Sequence, residues 1–164
     1  MIVIADTSPI NYLILIGHID ILPQLYGRIL IPLAISEELL HNRTPESVKD
    51  WFRSAPAWLE KHPISQEVEP ALELLGKGES EAITLAREIG ADRIILDDVD
   101  ARHAAEERGI PVIGTLGVLR EAAQTGLLDL ADALHKLKQT SFFAAPDLIR
   151  RILDEETRRR RESG

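Results

Sequence analysis

The sequence predicts an α/β fold in which helices cover both faces of a parallel sheet. Short apolar runs suited to buried strands, such as residues 1–5 and 29–31, alternate with longer segments whose apolar residues recur at helical spacing. This alternation is typical of parallel strands connected by helices. With 164 residues and 45% hydrophobic content, the chain is long enough for one domain with a substantial core.

The first predicted strand is the unbroken apolar run Met1–Ala5, which suits a strand covered on both faces. It ends at Asp6, and Ser8-Pro9 predicts a helix start with a hydroxyl at the N-cap and proline at the first helical position. Functional sites of open α/β sheets lie at the carboxyl ends of strands. Asp6 therefore either caps this helix or, half desolvated, requires a cation, a donor or a proton.

Later strands are predicted from short apolar runs over residues 29–31, 93–96 and 110–114. Residues 58–64 are poorly patterned, and a short edge strand can be placed there because proline suits an edge. The predicted helices have apolar residues at helical spacing, and several end at a glycine. They cover residues 9–16, 19–25, 33–41, 45–54, 68–75, 79–89, 99–108, 115–125, 127–137 and 145–157. Thr115 is expected to cap the helix that it opens.

Composition excludes several classes of protein. The chain has no cysteine, which rules out disulfides and thiolate metal sites, and no apolar run of membrane-span length. The N-terminus lacks the charged segment and cleavage site of a signal peptide, so we expect a cytoplasmic soluble protein. The net charge of −8 argues against a general nucleic-acid coat protein, but it does not exclude an enzyme that holds phosphates through metal ions.

The chain shows no internal repeat and no linker, and we expect a single domain over residues 1–157 followed by a basic tail, residues 158–164. The tail contains the run Arg158–Arg161. One interpretation is a frayed, solvated helix end whose charge complements the helix dipole. The other is an electrostatic hold on RNA or on an acidic partner.

Acidic residues follow two of the predicted strands. Asp6 follows the first and Asp97-Asp98 the third, with Asp100 two residues further on. These carboxylates could lie side by side at one edge of the sheet, where like charges within about 4–6 Å repel each other unless a cation lies between them. Oxygen ligands without a nearby His or Cys favour Mg²⁺ or Mn²⁺.

Two predicted helices carry glutamates toward their apolar sides. In the helix over 33–41, helical phase puts Glu38 within the apolar arc and Glu37 opposite to it, so Glu38 is the candidate unless it only borders the core. In the helix over 79–89, Glu79 projects into the middle of the arc and Glu81 lies just outside it. Both are in the first turn, where the helix dipole favours any acid, so a structural role is the alternative for either.

With these acids assembled, the chain resembles the PIN-domain nucleases. It is similar to the prokaryotic branch that includes VapC-type toxins, and within that branch to a subgroup of small PIN proteins. The resemblance extends over nearly the whole chain, and four segments carry it most specifically. They are residues 6–10 (DTSPI), 75–83 (LGKGESEAI), 96–98 (LDD) and 112–119 (VIGTLGVL).

The resemblance implies a three-layer α/β/α fold with a central, mostly parallel sheet, and an endoribonuclease activity that depends on Mg²⁺ or Mn²⁺. Its substrate would be single-stranded or structured RNA. The acids that it implies as catalytic residues and metal ligands are Asp6, Glu38, Glu79 and Asp98. Additional metal candidates are Asp100 and Glu81. It further implies a homodimer and, if the protein is the toxin of a toxin–antitoxin pair, a small antitoxin protein as partner.

One position departs from the family pattern. PIN domains often have Thr or Ser two residues before the fourth acid, and this chain has Leu96 there. A hydroxyl that helps to orient water is thereby lost, and we expect Ser8 to support the site in its place. The departure bears on the rate of the reaction more than on its type.

Other families with acids at strand ends fit less well. A haloacid-dehalogenase-like phosphatase requires a second Asp two residues after the first, where this chain has Ser8. A receiver domain requires a Lys after the strand that ends at Ile113, where Gly114 follows. The segment 76–78 is neither a phosphate-binding loop nor a dinucleotide fingerprint. The non-enzymatic alternative is a catalytically silent PIN scaffold that binds RNA or a protein partner.

Overall fold

The computed structural model describes residues 1–163, which form a three-layer α/β/α fold. The five strands are β1 (Val3–Ala5), β2 (Ile29–Ile31), β3 (Leu59–Lys61), β4 (Arg93–Ile95) and β5 (Val112–Ile113). The nine α-helices of this range are α1 (Thr7–Leu15), α2 (Ile21–Tyr26), α3 (Leu33–Leu39), α4 (Glu46–Arg53), α5 (Lys77–Ile89), α6 (Val99–Glu107), α7 (Thr115–Gln124), α8 (Leu130–Lys138) and α9 (Pro146–Ser163). No helix among these residues is both long enough and apolar enough to cross a membrane.

The sheet is parallel throughout, and its strand order β3-β2-β1-β4-β5 places β1 at the centre. Val3 is in register with Ile29 of β2 on one side and with Arg93 of β4 on the other. The chain moves from β1 toward one edge and later returns to the other side of β1, so β1 and β4 form the switch point where open α/β sheets bind ligands. The predictions of a mostly parallel sheet and of an edge strand within 58–64 are confirmed.

Side chains of the strands alternate between two separate hydrophobic cores. Val3 and Ala5 of β1 enter the first core and Ile4 enters the second, and all three are 0% exposed. Helices α1–α4 and α7–α9 contribute to the first core, whereas α5 and α6 contribute to the second. Because both faces are covered, the sequences of β1 and β2 are continuously apolar instead of alternating.

Helix α1 begins earlier than the sequence predicts, at Thr7 and not at Pro9. Asp6 has an extended backbone and occupies the N-cap position, but its side chain makes no capping hydrogen bond. Pro9 lies within the first turn, where its missing N–H removes no helical hydrogen bond. The helix therefore starts directly beyond β1 and leaves Asp6 between the two elements.

Two other helix predictions are also wrong. Residues 68–75 contain only a short 3-10 helix, Pro70–Leu74, because a single turn follows the proline before the chain extends again. Helix α8 begins at Leu130 and not at residue 127, since the side chain of Asp129 caps it by accepting a hydrogen bond from the backbone N–H of Asp132 (2.9 Å).

Helix α9 continues through the predicted basic tail, whose last residue, Gly164, lies outside the described residues. Arg159 and Arg160 lie 2.6 and 3.3 Å from the carboxylate of Glu156, and Arg160 also lies 3.2 Å from Asp129. The hydrogen bond from Arg159 lowers the pKa of the Glu156 carboxyl group. Glu156 is only 9% exposed, so these two arginines neutralise a charge at the edge of the core.

We predict that the double substitution of Arg159 and Arg160 by Ala lowers the melting temperature at neutral pH, because Glu156 is left buried without a partner. Substituting Arg158 and Arg161 by Ala is the matched control, since both side chains are exposed. The loss should shrink in acid, because a carboxylate with a lowered pKa stabilises the fold only at pH values where it is ionised. Equal melting temperatures for the two double variants at neutral pH would contradict this role.

Candidate active site

Asp6 lies at the carboxyl end of the central strand, between β1 and α1. The residue is 5% exposed, and its backbone N–H donates to the carbonyl of Ile95 in β4 (3.0 Å). Its side chain does not cap α1, so capping does not account for the burial of this carboxylate. A buried carboxylate without a partner is unfavourable unless it is protonated or binds a cation.

The acids around Asp6 add to the cost of ionising it. Burial raises the pKa of the Asp6 carboxyl group to about 7, and the backbone amide of Thr7 offsets part of this rise. The neighbouring carboxylates of Glu79, Glu38 and Asp97 raise the pKa further. Within residues 1–163, none of these four acids forms an ion pair with a lysine or arginine. The cluster therefore carries negative charge that no basic side chain in contact with it neutralises.

Glu38, in the last turn of α3, is half-buried and accepts two hydrogen bonds. The donors are the hydroxyl of Thr7 and the backbone N–H of Gly78 (3.1 Å). A Cβ at Gly78 would lie 2.6 Å from both carboxylate oxygens of Glu38, so this close approach requires glycine. Glu37 is exposed and pairs with Lys77 (3.5 Å). Helix α3 thus directs Glu38, and not Glu37, toward Gly78 in the first turn of α5.

Glu79, in the first turn of α5, is the second acid with a strongly perturbed carboxyl group. Burial raises its pKa to about 7. Three carboxylates raise it further, those of Asp98, Glu38 and Asp100. Glu81 instead accepts a hydrogen bond from the backbone N–H of Ala34 (3.2 Å), at the start of α3. The structure therefore brings Glu79 close to the other acids and gives Glu81 a partner in a neighbouring helix.

Asp98 is the N-cap of α6, and its Oδ2 accepts a hydrogen bond from the backbone N–H of Ala101 (3.0 Å). Asp100 lies in the first turn of the same helix and is exposed. Leu96, at the position where the family often has Thr or Ser, is 0% exposed and packs in the second core. An apolar side chain is favoured there because the position faces the core.

Asp97 has a role that the sequence analysis did not assign. Its carboxylate accepts hydrogen bonds from the backbone N–H (2.8 Å) and the hydroxyl (2.6 Å) of Thr115. The expectation that Thr115 caps α7 is wrong, because Gly114 occupies the N-cap position and Asp97 supplies the acceptor. A Cβ at Gly114 would lie 3.0 Å from Asp97 Oδ1 and 2.6 Å from a guanidinium nitrogen of Arg102. Asp97 thus fixes the start of α7 beside Asp6.

The chemistry of this donor set fits a hard divalent cation, because carboxylate oxygens are the ligands that Mg²⁺ and Mn²⁺ prefer. As they stand, however, no three or more His, Asp or Glu side chains in the described part of the chain are arranged to hold a metal ion. Hydrogen bonds from helix starts hold the carboxylates of Glu38 and Asp98 in their present positions. Joint ligation of one cation by Asp6, Glu38, Glu79 and Asp98 therefore stays a prediction.

Two cavities adjoin the acids and share Ser8 and Ser141 among their lining residues. The smaller cavity, about 440 Å³, contains Glu38 in its wall. The larger, about 870 Å³, is lined by Glu79 and Asp98 and by residues 141–145 between α8 and α9. The sequence analysis missed this segment because it contains no motif and reaches the cavity only through the fold.

Comparisons with family models, solved structures and curated proteins show what the chain is similar to. A family model described as a PIN domain matches residues 2–158, nearly the whole chain. Among solved structures, the fold is similar to a PilT N-terminus domain protein from the hyperthermophilic archaeon Sulfolobus solfataricus P2, with a TM-score of 0.45 and 16% identity over 88% of this chain and 100% of that chain. The comparison with curated proteins finds no match. Because the family match extends over nearly its full length, the chain belongs to the PIN-domain family.

Proposed function

We propose that the protein is a metal-dependent endoribonuclease that hydrolyses phosphodiester bonds of RNA. The observation that carries this proposal is the buried carboxylate of Asp6, which lies with Glu38 and Glu79 in a cluster that forms no ion pair with a lysine or arginine of the described residues. Such a cluster at the switch point of a parallel sheet favours a divalent cation, and phosphates are commonly bound through such ions. Membership of a family whose fold is that of nucleases supports the same reaction.

Asp6, Glu38, Glu79 and Asp98 would hold Mg²⁺ or Mn²⁺ in this proposal, and Asp100 lies close enough to Glu79 to influence its charge. The chemistry that such an ion would supply is activation of a water, neutralisation of the scissile phosphate and stabilisation of the departing oxygen. The protein contributes geometry and no covalent nucleophile.

Hydrogen bonds from the starts of two helices keep the proposed ligands in position. The backbone N–H of Gly78 holds Glu38, and that of Ala101 holds Asp98. Each bond uses one lone pair of a carboxylate oxygen, so further lone pairs stay available to a cation. Both carboxylate oxygens of Asp97 accept hydrogen bonds from Thr115, so Asp97 is a positioning residue for the start of α7.

The two cavities support cleavage within a strand and not only at its end. They share Ser8, so a strand that enters one cavity can continue into the other past the acids. Arg43 lines the smaller cavity and Arg102 the larger, which gives each side a cationic group for a phosphate. The net charge of −8 disfavours general attraction of RNA to the surface, whereas Arg43 and Arg102 supply local attraction in the two cavities.

A catalytically silent PIN scaffold that binds RNA or a protein partner would share this fold. The presence of acids at all four family positions favours the enzyme, because a scaffold gains nothing from burying Asp6 among like charges. The toxin–antitoxin role, the antitoxin partner and the homodimer stay predictions from the family resemblance.

We predict that the purified protein cleaves single-stranded RNA in Mg²⁺ or Mn²⁺ and that EDTA abolishes the cleavage. Incubation of mixed RNA with each ion, followed by gel analysis of the products, checks this. Restoring an excess of Mn²⁺ after EDTA should recover the activity, which excludes denaturation by the chelator. Cleavage that persists in EDTA would overturn the metal mechanism.

We predict that Asp6→Asn abolishes cleavage without lowering stability in the absence of metal. The substitution removes one charge from a buried cluster of like charges, so the metal-free melting temperature at neutral pH should hold or rise. Asp154→Asn, an exposed carboxylate on α9, is the matched control and should change neither property. A large drop in the metal-free melting temperature of Asp6→Asn would show that Asp6 is structural.

We predict that Glu79→Gln abolishes cleavage and weakens Mn²⁺ binding, whereas Glu81→Gln has a smaller effect on both. Glu79 lies with the acids, and Glu81 accepts a hydrogen bond from Ala34 that the amide oxygen of Gln can still accept. Calorimetric titration measures the Mn²⁺ affinity of each variant. The two substitutions remove the same charge at positions two residues apart, so each is the control for the other. Loss of the metal from Glu81→Gln with retention in Glu79→Gln would reverse the assignment.

A further inference from the structure

The segment between α8 and α9, residues 139–145, contacts α1 beside the acids. The hydroxyl oxygens of Tyr12 and Ser141 lie 3.0 Å apart, and the rings of Tyr12 and Phe142 meet edge to face with their centroids 5.1 Å apart. Phe142 also packs against the first core. These contacts give the outer wall of the larger cavity a defined position relative to α1.

Phe143, the next residue, remains outside the core with 86% of its surface exposed. A single exposed apolar side chain is common in proteins and requires no special explanation. Leu74, for example, is 93% exposed and lines neither of the two cavities beside the acids. Phe143 differs because it lines the same cavity as Glu79 and Asp98. An aromatic ring is therefore presented in the cavity that contains the proposed reaction site.

A cationic group also lines this cavity. Arg102 forms no ion pair with an acid in residues 1–163, and its guanidinium donates a long hydrogen bond (3.4 Å) to the carbonyl of Leu96. Arg120, at another point of the wall, is paired with Glu155 (2.7 Å). Arg102 is thus a cation of this wall that forms no ion pair with a carboxylate among residues 1–163, and guanidinium groups bind phosphate well.

The cavity volume of about 870 Å³ lies in the upper part of the range that binds small molecules, so it accommodates a base together with its sugar. Acids for a metal-bound phosphate, an unpaired arginine and an exposed aromatic ring occur together in it. This combination matches a nucleotide whose phosphate meets the charged groups and whose base lies on the ring. An apolar protein segment would use the ring but would leave Arg102 without an anionic group.

We propose that Phe143 is a stacking platform for one base of a single-stranded RNA whose adjacent phosphate lies by Arg102 and the acids. The proposal rests on the proposed ribonuclease function and adds a determinant of its substrate class. A base reaches an aromatic platform only when it is unpaired and splayed out, so the subsite selects single strands over duplexes. Stacking tolerates any base, so the subsite selects strandedness and not sequence.

The test is binding of a short fluorescein-labelled single-stranded oligoribonucleotide to the full chain, measured by anisotropy in EDTA and again in Ca²⁺. The variants are Phe143→Ala, Phe143→Trp and, as a matched exposed apolar control, Leu74→Ala. We expect Phe143→Ala to weaken binding by at least about fivefold, the lower end of what base–aromatic stacking contributes. Phe143→Trp should bind at least as tightly as the wild type, and Leu74→Ala should bind equally.

A second probe separates stacking from general apolar contact. An oligonucleotide of abasic residues keeps the phosphates and lacks the bases. It should bind the wild type weakly, and Phe143→Ala should not change its affinity. Melting temperatures of the variants should match the wild type, because the ring is exposed.

Unchanged binding by Phe143→Ala, or no binding in either buffer, overturns the proposal. If Phe143→Ala leaves binding intact and instead changes the oligomeric state in size-exclusion chromatography, the ring belongs to an interface between copies. Cleavage in Mn²⁺ is scored separately on the same oligonucleotide. Cleavage with no effect of Phe143 overturns only this inference, whereas Phe143-dependent binding without cleavage overturns only the nuclease proposal.

Discussion

The burial of the Asp6 carboxylate at the end of the central strand is the constraint on which the rest of the site depends. Its pKa is raised to about 7 by burial and by neighbouring acids, and no lysine or arginine in residues 1–163 pairs with it. Four helices start around these acids. Helix α1 begins beside Asp6, and the first turn of α5 contains Glu79. Asp98 is the N-cap of α6, and α7 begins beside Asp97. Partial positive charge at these starts favours acids without neutralising them, which preserves attraction for a cation.

Two glycines allow the helix starts to come this close. Gly78 lets its backbone N–H reach the carboxylate of Glu38, and Gly114 leaves room for Asp97 and Arg102 beside the start of α7. At both positions a Cβ would lie within 2.6 Å of a polar side-chain atom. The glycine-containing segments that carry the family resemblance therefore have a steric basis, since a Cβ at Gly78 would collide with Glu38 and one at Gly114 would collide with Arg102.

Local patterns predicted the features that depend on short stretches of sequence. Continuous apolar runs located β1, β2, β4 and β5 because both faces of the sheet are buried, and helical phase separated Glu38 from Glu37. The sequence did not predict the features that depend on contacts between segments far apart in the chain. Asp97 and Asp98 both follow β4, and their roles are distinguished by the hydrogen bonds from Thr115 to Asp97 and from Ala101 to Asp98. Likewise, Tyr12 contacts residues 141–142, which lie far from it in the chain. The spacing of apolar residues along the sequence cannot predict such a contact.

We predict that a bound cation stabilises the acids once they are ionised, and the melting temperature of the wild type across pH, with and without Mn²⁺, measures this stabilisation. The pKa values of Asp6 and Glu79, about 7 in the folded protein, exceed their ordinary values of 3.8 and 4.5. Between the ordinary and the raised pKa values, the folded state therefore binds more protons than the unfolded state. The stability of the metal-free protein should fall as the pH rises through this range to about 8. Mn²⁺ should restore stability at about pH 8 and add little at about pH 5, where the two acids are protonated. A metal-free melting temperature that does not fall over this range, or that Mn²⁺ leaves unchanged at the alkaline end, would contradict the account.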